Sequence, residues 1–267
     1  MEYDHSVIEE LWEQYIKLCP SAPKIHNLLQ DKGELRNDHI AFRTFSDHRI
    51  DKNVLSQRFL EMGYSVQGNY YFSQKKLNAI HLEHKNPHNP KIFISELLLK
   101  EFSNNLQSVL NAAIDSIPDK YWGNKDLIHK GRLWSNPSYS VYETLSKESE
   151  YAAWMYVYGF RANHFTIYAN DLQFKGLEEL NIFLVNNGFV LNNHGGVIKG
   201  SKSVYLEQSS TLADKIEFPF IEGVYTIPGC YCEFAYRYPR GSTIFQGFVT
   251  ESADKIFEST DRKIQSS

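Results

Sequence analysis

The segment Asn37-Asp38-His39-Ile40-Ala41-Phe42 returns, with small changes, as Ala162-Asn163-His164-Phe165-Thr166-Ile167. Each copy leads into a helical stretch that ends on a glycine-aromatic pair, Gly63-Tyr64 and Gly188-Phe189, and 24 residues separate each histidine from its glycine. Farther on, Ile80-His81-Leu82-Glu83 is paralleled by Val204-Tyr205-Leu206-Glu207, and Phe93-Ile94-Ser95-Glu96-Leu97 by Cys230-Tyr231-Cys232-Glu233-Phe234. Landmarks matched in this order are a poor fit to chance. The alternating, aromatic-rich runs read as strands, and Asp51 to Glu61, closed by Gly63, as an amphipathic helix. The expected unit is a strand-helix-strand-strand-strand module, used twice, opening on a histidine strand and closing on a glutamate strand.

The fold class implied is α+β, with two βαβββ modules curled around a shared cavity, a helical N-terminus and a helical insert. We divide a single domain, 1–267, into module one (35–99), an insert (100–160), module two (161–238) and a C-terminal segment (239–267). The N-terminal helix is expected from a Ser6/Glu9 capping box and the helical spacing of Ile8, Leu11, Trp12, Tyr15 and Ile16, ending at Cys19-Pro20. A second short helix is expected after Pro23. The insert should hold a helix at Glu101 to Ile117, an irregular Trp- and Tyr-rich stretch and a helix around Ser149 to Tyr158. Module two has room for a longer last hairpin.

Composition excludes several classes. With 42% hydrophobic and 22% charged residues the chain can bury a core, so disorder is ruled out. A formal charge of −4 gives no field to attract nucleic acid or anionic lipid. No stretch approaches the roughly 18 to 20 apolar residues of a spanning helix, and the acidic start is unlike a secretory signal, so a cytoplasmic location is expected. Cys19, Cys230 and Cys232 make neither a disulfide framework nor a zinc site of the usual spacing. Cys230 and Cys232 read as small strand hydrophobes.

Strand alternation puts His39, Ala41 and Arg43 on one face, His164, Thr166 and Tyr168 on one face of their strand, and Tyr231, Glu233, Ala235 and Arg237 on one face of theirs. If both modules line one cavity, His39 and His164 meet at the pseudo-twofold axis and Glu233 arrives on the last strand. Two imidazoles and a carboxylate form the facial triad typical of non-haem Fe(II) oxygenases, with open positions left on the metal. The competing reading makes each His a buried histidine bonded to backbone and each Glu an exposed charge. The coincidence of repeat position with ligand chemistry favours the metal.

Glu96, matched to Glu233 in the repeat, is a candidate fourth ligand or a supporting or packing residue, and is left out of the ligand set. His81 and His84 would point to opposite faces of a strand, so the His-Leu-Glu-His run is not read as a zinc site. Arg43 lies about 13 Å along the strand from His39, at roughly 3.3 Å per residue, and its long side chain can fold back. A guanidinium in such a cavity calls for an anion, either a substrate carboxylate or a structural Asp or Glu. Arg237, on the face of Glu233, is the second candidate for an anion clamp.

The paired modules resemble the vicinal oxygen chelate fold. The phrases Asn37 to Thr44, Tyr151-Ala152-Ala153-Trp154 through Gly159 to Thr166, and Gly247-Phe248 with Ile256-Phe257-Glu258-Ser259-Thr260 resemble the 2-oxoadipate dioxygenase/decarboxylase family, also called 2-hydroxyglutarate synthase. The resemblance spans about Leu35 to Thr260. It implies one Fe(II) on His39, His164 and Glu233, and a substrate-carboxylate arginine at Arg43. The implied reaction turns 2-oxoadipate and O2 into 2-hydroxyglutarate and CO2, a step of lysine breakdown. The partners are therefore a small 2-oxo dicarboxylic acid and O2, without nucleic acid or membrane. The rival readings are another metalloenzyme of this fold, such as a glyoxalase-like isomerase or ring-cleaving dioxygenase, or a metal-free module that binds a small acid.

Overall fold

The structure, a computed structural model, describes residues 3–249. Helices α1 (His5–Tyr15) and α2 (Ser21–Leu29) come first. Asp4, not the expected Ser6, caps α1 by accepting from the Ser6 amide at 3.1 Å. α2 starts ahead of Pro23, which falls in the first turn, where its missing N–H has no helical partner to lose. Module one follows as β1 (Asn37–Phe45), α3 (Lys52–Glu61), β2 (Tyr64–Phe72), β3 (Leu77–His84) and β4 (Lys91–Leu97).

The insert holds α4 (Asn104–Asp115), α5 (Tyr139–Glu148) and α6 (Glu150–Tyr158), so the stretch expected to be irregular contains a helix, α5, capped by Ser138. Module two runs β5 (Ala162–Tyr168), α7 (Leu177–Asn186), β6 (Lys199–Ser201) and β7 (Leu206–Ser210). A hairpin of β8 (Lys215–Phe220) and β9 (Gly223–Pro228) then intervenes before β10 (Tyr231–Arg237). The motif residues Ile256 to Thr260 lie outside the described residues, as does most of the C-terminal segment.

One curled sheet of eight strands runs through both modules in the order β2-β3-β4-β1-β5-β10-β7-β6. In each module the first strand lies parallel to the last, β1 with β4 and β5 with β10, and the modules join where β1 and β5 pair antiparallel. This is the paired βαβββ arrangement expected from the repeat. Alternation sends Phe42 outward against Phe59 of α3, and Phe165 outward against Trp12 and Tyr15 of α1. α7 packs on the same outer face, where Ser209 donates to Asn181 at 2.8 Å. The inner face is left for His39, His164 and Glu233. No described helix is long and apolar enough to cross a membrane.

The repeat is in register only in its first half. His39 and His164, and Gly63 and Gly188, share an offset of 125 residues, and both glycines close their helices with φ near +90°, +90° and +87°, which favours glycine. In the second half Ala41 pairs with Phe93 while Thr166 pairs with Glu233, and Ala41 and Thr166 each follow their histidine by two residues. The structural mate of Glu233 is therefore Phe93, not Glu96. A slip of three residues reverses the face. Glu96 accordingly points to the outer side, where it binds Lys52 Nζ at 2.6 Å and accepts the Lys52 amide at 3.2 Å. It is no candidate for the metal. The match of Ile80–Glu83 to Val204–Glu207 is displaced as well, since His81 occupies in module one the place of Ser210 in module two.

Candidate metal centre

Three strands set the site by register alone. His39 on β1 pairs with Thr166 on β5, and Thr166 pairs with Glu233 on β10, so these three share a row on the inner face. The next row holds Ala41, His164 and Tyr231. Arg43 begins a third row. His39, His164 and Glu233 are buried, and their ligand atoms all lie within 4.8 Å of one another; no other group of this kind occurs among the described residues. Nε2 of His39 is 3.4 Å from Oε1 of Glu233, and Nε2 of His164 is 3.3 Å from Oε2.

The rings are held from behind. Nδ1 of His39 donates to Asp38 at 2.7 Å, and Nδ1 of His164 donates to the Asn163 amide oxygen at 3.0 Å. A strand neighbour should point to the opposite face, but the β1–β5 ladder shifts register between Asn37 and His39 and again opposite Asn163. Each bulge turns the residue before the histidine back onto its ring. Fixing Nδ1 this way leaves the Nε2 lone pairs facing the centre. Gln208 donates to Glu233 Oε1 at 2.6 Å, and the Thr166 hydroxyl donates to His39 Nε2 at 3.1 Å. Tyr231 stacks on the His164 ring at 4.7 Å, and Phe248 meets His39 edge-on at 4.9 Å.

The residues fit a cation. Burial holds both imidazoles below their ordinary pKa, His164 well below, so each presents a lone pair at neutral pH. Two such nitrogens then face a carboxylate whose Oε2 is buried without a hydrogen-bond partner. Mutually facing acceptors repel unless a proton or a metal ion lies between them, and the donor set suits a divalent first-row metal. Burial also pushes the Glu233 carboxyl up to about 8. A metal must displace that proton, so loading the metal-free protein at pH 7 should release about one proton per chain, and affinity should rise with pH up to about 8. Calorimetry in buffers of different ionisation heat measures this; proton-neutral binding would show that Glu233 is already ionised when the metal arrives.

Arg43 is 1% exposed, and its guanidinium lies 4.8 Å from the Tyr151 ring and 5.1 Å from the Trp154 ring of α6. The insert thus walls one end of the inner face. Tyr151 is tied to the sheet, donating to the Ser95 carbonyl at 2.7 Å and accepting the Thr44 amide at 3.0 Å. Arg237 is placed differently from expectation. It grips Asp38 through Nε at 2.6 Å and Nη2 at 2.8 Å, and Nη1 donates to the carbonyls of Phe245 and Gly247. With those donors committed, Arg237 orients the aspartate behind His39 and is not available as a second anion clamp. His81 bonds Tyr70 and Glu83, whereas His84 packs with Tyr3 and Tyr64, so the two histidines diverge as expected. The three cysteines are free and buried.

Asp38, Asn163, Gln208, Thr166 and Tyr231 were not singled out from sequence as site residues. A signal existed for the first two, because a polar side chain precedes the histidine in both copies of the repeat.

A family model described as 2-oxoadipate dioxygenase/decarboxylase matches residues 5–120 and 125–243. An Arabidopsis thaliana protein named 2-oxoadipate dioxygenase/decarboxylase, chloroplastic, is 36% identical over 96% of this chain and 76% of its own length. The hydroxyglutarate synthase of Oryza sativa, solved in complex with 2-oxoadipate, superposes with a TM-score of 0.90 at 33% identity, over 98% of this chain and 93% of that one. A provisionally assigned hydrolase of Shewanella frigidimarina gives a TM-score of 0.88 at 45% identity, over 94% and 99%.

Proposed function

Because the chain belongs to the 2-oxoadipate dioxygenase/decarboxylase family, we propose that it converts 2-oxoadipate and O2 into 2-hydroxyglutarate and CO2, with Fe(II) held by His39, His164 and Glu233. The observation that carries the reading is the inward-facing set of two Nε2 atoms and one unpartnered carboxylate oxygen. Bound there, a ferrous ion supplies the activation of O2 and the oxidative loss of CO2 that side chains cannot perform. His39, His164 and Glu233 would hold the ion from one side and would leave room beside it for a 2-oxo acid and O2.

The chain's own contribution is placement. Arg43 lies two rows along the inner face from the His39 row and suits the distal carboxylate of the substrate. Ala41 stands between them, and its single methyl leaves room for the carbon chain. The burial of the three ligands and the cover given by Phe248 and α6 keep bulk water from the reacting carbon. Asp38 and Asn163 hold the imidazoles in the tautomer that can ligate. A place in lysine breakdown and a cytoplasmic location are proposed on the same footing.

The test is oxygen uptake. Protein reconstituted anaerobically with Fe(II) should consume one O2 for each CO2 and 2-hydroxyglutarate formed from 2-oxoadipate. No iron-dependent uptake would overturn the reading, and turnover of a substrate without O2 would favour a hydrolytic use of the metal instead. In the same assay Arg43→Met should lower kcat/KM for 2-oxoadipate by roughly 10- to 100-fold, the worth of hydrogen bonds to a charged group, and leave 2-oxohexanoate nearly unchanged.

A further inference from the structure

Tyr231 has a ring whose place is explained and a hydroxyl whose place is not. The ring stacks on His164, which phenylalanine would do equally well. The hydroxyl is fully buried, on a residue 0% exposed, and has no hydrogen-bond partner among the described residues. A buried polar group left unmet costs about 1–3 kcal/mol, so a ligand that satisfies it is the economical explanation. Its row decides which ligand group. Tyr231 pairs with His164 in the row between the His39–Thr166–Glu233 row and Arg43, across the strand ladder from Ala41. Burial pushes the hydroxyl's pKa well up, Glu233 raises it further, and Arg43 pulls it down, so both charged groups reach it.

Three acceptors already crowd the metal end. At the Arg43 end the chain offers donors, and a phenol with its ordinary pKa near 10 is a donor at neutral pH. Building on the dicarboxylate reading above, we infer that Tyr231 donates its hydroxyl hydrogen to the substrate carboxylate that Arg43 holds. The two residues form one clamp, a cation and a neutral donor reaching the same carboxylate from β1 and β10. The other orphaned polar atoms nearby, Asn163 Nδ2 and Gln208 Oε1, belong to side chains already occupied in holding His164 and Glu233. Tyr231 has no such employment.

The test compares Tyr231→Phe with the unchanged protein, both loaded with Fe(II) and kept anaerobic, using calorimetric binding of 2-oxoadipate and of 2-oxohexanoate, in which a methyl replaces the distal carboxylate. Tyr231→Phe should weaken 2-oxoadipate about tenfold, shift 2-oxohexanoate by less than about twofold, and keep its iron. The metal-free variant should melt no lower than the parent, because no internal hydrogen bond is lost. Equal weakening of both ligands would move the hydroxyl to the metal end and overturn the inference. So would unchanged binding of both, or a lowered melting temperature. If the parent itself does not prefer the dicarboxylate, the Arg43 reading fails and this one with it; a parent that discriminates beside a variant that discriminates equally sinks the Tyr231 role alone.

Discussion

Replacing His164 with alanine should give a folded chain that binds no iron and shows no oxygen uptake. His164 supplies one of three ligand atoms gathered within 4.8 Å, and the other two cannot complete the facial set. Removing a residue that merely supports a ligand typically costs 10- to 100-fold in metal affinity or activity, so loss of a ligand should exceed about 100-fold in both. The fold should survive, because the core of the outer face, Phe42, Phe59, Phe165, Trp12 and Tyr15, is untouched. Iron content, oxygen uptake and circular dichroism check the three parts. Retained iron with lost activity would remove His164 from the ligand set; iron lost together with the fold would make it structural.

Asp38→Asn should be the most destabilising single change at the site. Asp38 is 3% exposed and receives two hydrogen bonds from Arg237, itself 1% exposed, while accepting from His39. The variant leaves the Arg237 charge buried without its counter-ion, a loss of about 3–5 kcal/mol by analogy with broken buried pairs. Iron affinity should also fall, by roughly 10- to 100-fold, as the hydrogen bond behind His39 weakens.

The pH dependence follows from the direction of the Asp38 shift. Burial by itself would raise its pKa, but the charges of Arg237 and Lys91 and the Arg237 hydrogen bonds hold it well below the carboxylate range. A depressed folded-state pKa contributes stability that is present above the unfolded value near 3.9 and is lost as pH falls toward the folded one. The stability gap between parent and variant should therefore be constant at neutral pH and narrow only below about pH 4. Urea melts across that range measure it. A gap that closed already near pH 6 would point to a histidine and not to Asp38.

The grouping of His39, His164 and Glu233 was legible because a repeat converts three weak signals into one. A histidine on a strand is uninformative; a histidine at the same step of two modules, with a glutamate on the closing strand, is not. Glu96 shows the limit. Its match to Glu233 looked good as text, yet strand pairing places Phe93 there, and a slip of three residues sends the carboxylate through the sheet to Lys52. Arg237 shows another. Alternation put it on the face of Glu233, but sequence could not say that Asp38, 199 residues away, would take its guanidinium.

The sequence by itself determined the two-module α+β plan, the histidine strands and the glutamate that completes their set, since these depend on local periodicity and on the order of elements along the chain. Tertiary structure alone decided the register of the closing strands, the two bulges that fold Asp38 and Asn163 onto the rings, the cover that α6 lays over Arg43, and the unmatched hydroxyl of Tyr231. The physical reason is that alternation fixes which side of its own strand a residue takes. Which residues share a row across three strands depends on ladder hydrogen bonds between segments far apart in the chain, where one residue of slip changes the answer.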